Sequence, residues 1–284
     1  MPILSLPDGY DRTFDASFGV LMALSPWVVR LLAPNPGPFT FRGTGVYLVG
    51  GGQSIVVIDP GPLLAPHMDA LQRAIGARRV SHILITHTHR DHSEAADALK
   101  ALTGAKTHGF GPQGATSTGE EADDSNFVPD VRLHDGDTIT GDGFTLCVLH
   151  TPGHASNHLC IALEEERALF TGDHVMGWSS SVIAPPDGDM GAYLASLRRL
   201  IARDDAILYP THGGPVRQPA AYMTALLQHR LLREAQLQAA LAQGITTIPA
   251  LVAHLYAGLE QKLHAAAAAT IAAHLAKLER DGPG

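Results

Sequence analysis

The chain has 284 residues, room for one large domain and a small appendage, and hydrophobic residues make up 45% of it; a sizeable core forms and disorder does not dominate. A net charge of −8 weighs against a general surface for nucleic acid or anionic membrane, while leaving room for a local basic patch. The two cysteines, Cys147 and Cys160, sit in apolar, strand-like stretches and read as buried free thiols of a reducing compartment rather than as a disulfide framework.

In chain order, the opening "MPILSLPDGYDRTFDASF" lacks a basic leading segment, and Pro7, Asp8 and Asp11 break its first apolar run. "FGVLMALSPWVVRLLAP" is interrupted by Pro26 and Arg30 well short of a membrane span. The expectation is a soluble, cytoplasmic protein with no membrane partner. Apolar, β-rich runs follow at 46–50, 54–60 and 80–86, and again at 144–150, 158–163 and 206–210. The "GTG" and "GGG" stretches near 43–52 lack the lysine and following helix of a phosphate-binding loop and read as hairpin turns. Helical periodicity appears at 66–76, 93–104 and 190–203. Strands mixed with helices and hairpins predict an α/β layered domain. From about Ala220 the pattern is helical almost to the end, in three pieces parted by Gly244 and Gly258, with Pro249 suited to the first turn of the middle piece. The reading is two domains, 1–217 and 218–284.

The stretch "ILITHTHRDHSEAADAL" (83–99) places His87, His89, Asp91 and His92 directly after a strand. In an extended exit, His87 and His89 project to one side. Ser93 with Glu94 reads as a helix start, which puts His92 where the backbone turns. Donors facing two sides of one small cavity suggest two neighbouring metal ions. Zinc needs four or five donors, and three later strand ends supply ligand-type residues beside glycine: His154 in "TPGHASNH", Asp173 in "FTGDHV" and His212 in "YPTHGG".

These residues resemble the metallo-β-lactamase superfamily, whose HxHxDH motif stands here as His87-Thr-His89-Arg-Asp91-His92, with the likeness covering roughly 40–215. The resemblance implies a four-layer αβ/βα sandwich. It also implies that His87, His89 and His154 hold one metal, that Asp91, His92 and His212 hold the second, and that Asp173 bridges them. "NPGPFTFRGTGVYLVG", "TPGHASNH", "FTGDHVMGWSS", "HRLLRE" and "AAHLAKLERDG" further resemble the branch with a small C-terminal winged-helix-like domain, which includes lactamase-like endoribonucleases. Members of that branch continue past the last helix into a β-hairpin wing. This sequence stops at "DGPG", so the expected module is all-helical with the wing missing.

The expected chemistry is hydrolysis by a hydroxide bridging two zinc ions, with Asp91 orienting the nucleophile and accepting its proton; zinc lowers the pKa of water from 15.7 to roughly 7. The same donors also accept manganese or iron. A small acyl substrate (ester, thioester or lactam-like) suits the acidic chain. Single-stranded RNA is the alternative partner, although Arg230, Arg233, Lys262, Lys277 and Arg280 are nearly balanced by Glu234, Glu260, Glu279 and Asp281, a poor track for phosphates. An iron-dependent oxidoreductase of the same fold is a third reading. Leu226, Leu227, Leu231 and Leu232 fit packing on the catalytic domain, shaping of a pocket, or a homodimer. Among other histidines, His158 reads as hydrogen-bonded in the core, His174 as a support or pocket-lining group, and His254, His264 and His274, ten apart, as solvated.

Overall fold

The computed structural model describes residues 10–114, 124 and 127–282. Strands β1 (Leu21–Ala23), β2 (Val28–Leu32), β3 (Gly45–Val49), β4 (Ser54–Ile58), β5 (Arg79–Leu84), β6 (Lys106–Gly109) and β7 (Val131–Arg132) form one sheet in that order. It is antiparallel from β1 to β4 and parallel from β4 to β7. Strands β8 (Thr138–Thr140), β9 (Thr145–His150), β10 (Leu159–Leu163), β11 (Ala168–Gly172) and β12 (Ile207–Pro210) form the second sheet, order β12-β11-β10-β9-β8.

Both faces of the central strands are covered, which is why they read as unbroken apolar runs. Alternation then divides each run between two cores. Tyr47, Val49, Val56 and Ile58 point at the second sheet and meet Val148, Ile161 and Phe170. Val46, Leu48, Ile55 and Val57 point the other way, onto α1 (Ala65–Ile75) and, through Leu99, α3 (Ala96–Thr103). On the far side of the second sheet, Cys160, Ala162 and Leu169 pack against Tyr193, Leu194 and Leu197 of α4 (Met190–Ile201). The result is helix, sheet, sheet, helix, the four layers expected.

The C-terminal part is helical: α5 (Pro219–Ala242), α6 (Ile248–Leu255) and α7 (His264–Asp281). Helix α5 belongs to two cores. Tyr222, Met223 and Leu226 join the α4 layer, whereas Leu237 and Ala240 pack with Leu251, Val252, Ala267 and Ile271. Of the leucines singled out in the sequence, Leu226 and Leu227 pack on the catalytic layer and Leu231 is exposed.

Two residues lie in surroundings other than those expected from the sequence. His274 is buried, not solvated, and its Nδ1 lies 3.1 Å from Glu234 Oε2, because α7 turns its Ala273 face onto the catalytic layer. Cys147 is half-buried rather than buried, while Cys160 is fully buried, and both are free. No helix among the described residues is long and apolar enough to cross a membrane.

Candidate metal centre

All seven residues singled out in the sequence are brought together where strands of the two sheets end. His87 and His89 follow β5, and the chain then makes a single turn of helix, α2 (Arg90–Ser93), carrying Asp91 and His92. The helix begins at Arg90, earlier than expected from Ser93. Ser93 instead ends it, its hydroxyl donating back to the His89 carbonyl at 3.1 Å. His154 stands in the loop after β9, Asp173 directly after β11, and His212 two residues after β12.

Close approach of backbones fixes these loops. Gly153 has φ +144°, and a Cβ there would lie 2.3 Å from Tyr193 Cα. Gly153→Ala should therefore cost about 2–3 kcal/mol through overpacking and backbone strain, read as a lowered denaturation midpoint, with loss of activity from the displaced His154. The His212 loop is held by buried Arg30, whose guanidinium donates to the carbonyls of Thr211 (2.8 Å) and Gly213 (2.6 Å).

His87 Nε2 and His154 Nε2 lie 2.9 and 3.1 Å from His89 Nδ1. Asp91 Oδ2 lies 3.2 Å from His212 Nε2 and 3.6 Å from His92 Nε2. Asp173 sits between the two sets: Oδ1 is 3.5 Å from His92 Nε2, and Oδ2 is 3.4 Å from His212 Nε2 and 3.9 Å from His154 Nε2. Within each of the groups His87–His89–His154, His87–His92–Asp173 and Asp91–His92–His212, the donor atoms fall within 4.8 Å of one another.

The backs of the rings are tied. His154 Nδ1 donates to the Val182 carbonyl at 2.7 Å and His212 Nδ1 to the Gly43 carbonyl at 3.2 Å. His92 Nδ1 lies 2.8 Å from Asp59 Oδ2. A proton committed to Nδ1 leaves Nε2 facing the cluster, the arrangement that orients histidine toward a cation. Asp59 is the principal residue that the sequence reading missed. It is buried at φ +50° and also accepts from the backbone N–H (2.8 Å) and hydroxyl (2.8 Å) of Thr86. Thr44 was missed too; its hydroxyl donates to Asp91 Oδ2 at 2.7 Å. Aspartate ending the apolar run "SIVVIDP" was the available signal for Asp59.

The donor set fits a cation on three counts. Among the described residues, His92 Nε2 and Asp173 Oδ1 are buried without a hydrogen-bond partner, the kind of orphan that an ion satisfies. Burial by itself would lower the His212 imidazole, but Asp173 and Asp91 override it and hold it up at about 10. His92 is raised in the same way, against burial, by Asp91, Asp173 and Asp59. The carboxylates Asp91 and Asp173 are held well below the usual range by those two histidines, again against burial. The pocket thus draws protons where positive charge is wanted. His87 and His89, by contrast, are kept neutral by burial and by neighbouring histidines, His89 down to about 3, which suits them to offer lone pairs.

His158 is buried as expected, accepting from the Asp173 backbone N–H at 3.1 Å and meeting the Thr151 hydroxyl at 2.9 Å. His174 does not reach the cluster: its ring packs on Tyr193, 4.6 Å between centroids, and both ring nitrogens are buried without a partner among the described residues.

Two face-packed sheets whose strand ends deliver this histidine–aspartate set define a metallo-β-lactamase-type hydrolase. The chain belongs to that superfamily: the profile of the metallo-beta-lactamase superfamily matches residues 40–212, and that of the beta-lactamase associated winged helix domain matches 247–283. It is 33% identical over 270 residues to a lactamase-like protein of Aspergillus niger, covering 89% of this chain and 80% of that one. It is 35% identical to an atrochrysone carboxyl ACP thioesterase of Aspergillus chevalieri, over 78% of this chain and 68% of the relative. Its structure is similar to that of a metallo-beta-lactamase family protein from Thermus thermophilus, with TM-score 0.77 and 25% identity over 92% of this chain and 95% of the other.

Proposed function

We propose that this protein is a metal-dependent thioester hydrolase whose catalytic unit spans residues 1–217 and whose helical unit spans 218–284. His87, His89 and His154 would hold one zinc ion, Asp91, His92 and His212 a second, with Asp173 shared between them. The observation that carries the reading is the convergence of these donors within 4.8 Å, group by group. Imidazole and carboxylate suit zinc, and the same set accepts manganese or iron.

Bound there, zinc supplies Lewis acidity and lowers the pKa of a water from 15.7 to roughly 7. The chain's own groups do the rest. Asp91 is the one carboxylate of the cluster that is partly open, with 24% of its side chain exposed, so its free oxygen can take a proton from the attacking water. The Thr44 hydroxyl fixes Oδ2 and leaves Oδ1 for that transfer. Asp59 and the Val182 and Gly43 carbonyls hold three rings in place, so little reorganisation is needed as charge develops.

A thioester is favoured over other acyl substrates by the thioesterase relatives. Zinc-reconstituted protein should release thiol from an aromatic acyl-pantetheine thioester and stop when a chelator is added. Chelation should also lower stability, by about 4 kcal/mol where zinc stood at a thousand times its Kd. Metal-dependent cleavage of a labelled single-stranded RNA, without thiol release, would overturn the acyl reading.

A further inference from the structure

A cavity of about 430 Å³ lies where the catalytic domain meets α5 and α7, walled by Phe39, Trp178, Ser181, Val182, Arg230 and Tyr256 among others. Its volume falls in the range that takes a ring-sized ligand. Two of its walls come from the loops that back the metal centre. Val182 carries the carbonyl that receives His154 Nδ1, and Phe39 lies on the loop whose Gly43 carbonyl receives His212 Nδ1. Phe41 and Trp178 stack across these loops at 4.8 Å and 11°, so the cavity and the centre share one frame.

The charges in this cavity are of one sign. Arg12, Arg230 and Arg233 line it, and among the described residues no carboxylate does. Arg230 is 3% exposed, donates to the Ser181 carbonyl, and has its Nε buried without a partner among those residues. The acid one turn along α5, Glu234, is taken by Lys277 at 2.7 Å and by His274 at 3.1 Å. The guanidinium also lies over the Tyr193 ring, 5.4 Å from its centroid; with an unused donor and, among the described residues, no carboxylate against it, an anion would complete its pairing.

Resting on the thioesterase reading, we propose that this cavity is the acyl pocket and that it selects an apolar or aromatic acyl group bearing a second, remote carboxylate, which Arg230 receives. Guanidinium and carboxylate match as planar partners, while Trp178 and Tyr256 flank the acyl body.

The test uses the metal-loaded full chain and two aromatic acyl-pantetheine thioesters, one with a remote carboxylate and one with a carboxamide in its place. The ratio of their kcat/KM values should fall at least ~10-fold in Arg230→Met, with Arg230→Lys between it and the wild type; an unchanged ratio overturns the proposal. A readout independent of turnover is quenching of the tryptophan fluorescence by 2,6-naphthalenedicarboxylate, since of the two tryptophans Trp178 lines the cavity and Trp27 does not. Quenching that weakens at least ~10-fold in Arg230→Met, in protein of unaltered metal content and thermal midpoint, supports the pocket even if neither thioester is hydrolysed. Wild-type protein that shows no quenching overturns it.

Discussion

Purified His154→Ala and Asp173→Ala proteins will fold and will lose turnover by at least about 10³-fold, because each deletes a donor on which the nucleophile's activation rests. The two losses differ in kind. His154 contributes one nitrogen, whose ring is anchored at 2.7 Å by the Val182 carbonyl; removing it empties one end of the cluster. Asp173 is the group placed between His92, His154 and His212, so removing it weakens both ends at once. Metal analysis beside circular dichroism separates the cases: about half the metal retained in His154→Ala, and less in Asp173→Ala, with native spectra in both. Undiminished activity in either protein, with metal content checked, would sink the assignment of the centre.

Asp59→Asn should weaken metal binding about 10–100-fold, the usual effect of removing a group that orients a ligand histidine. Asparagine keeps the shape and tolerates the positive φ of this position, so its Oδ1 can still accept from the Thr86 backbone N–H, while its amide nitrogen takes the place of Oδ2, which accepts from the Thr86 hydroxyl. What is lost is the negative charge 2.8 Å from His92 Nδ1. The amide also presents a donor where the ring already donates. Competition against a chromophoric chelator measures the effect, and unaltered affinity would mean that Asp59 only braces the Thr86 backbone.

Much of this was legible from residue types. The strands buried on both faces announced themselves as apolar runs, since Val46 to Val49 serve two cores at once. The HxHxDH spacing named its own residues because a strand exit followed by one helical turn places all four donors within reach. The misses share one cause, tertiary partners that spacing does not encode. Strand β2 was hidden because Arg30 breaks its apolar pattern, and that arginine is buried only because the Thr211 and Gly213 carbonyls receive it. Asp59 looked like an ordinary strand-end aspartate, its role resting on His92, 33 residues later. His274 looked solvated because its Glu234 partner is on another helix. Helix propensity marked α5 correctly but not its division between two cores.

The helical unit follows from the same packing logic. The first half of α5 is cemented into the α4 layer by Tyr222, Met223 and Leu226, and the Tyr222 hydroxyl donates to the Met176 carbonyl at 2.7 Å. Arg280 of α7 pairs with Asp189, the residue that caps α4. The helices are therefore held against the loop that carries Trp178 and Val182.

The most direct measurement is a zinc titration of chelator-treated protein, following thiol release from an acyl-pantetheine thioester and bound metal in the same samples. A centre of this kind gives no turnover without metal and full activity as two ions per chain are taken up. Turnover by protein shown to be metal-free would contradict it.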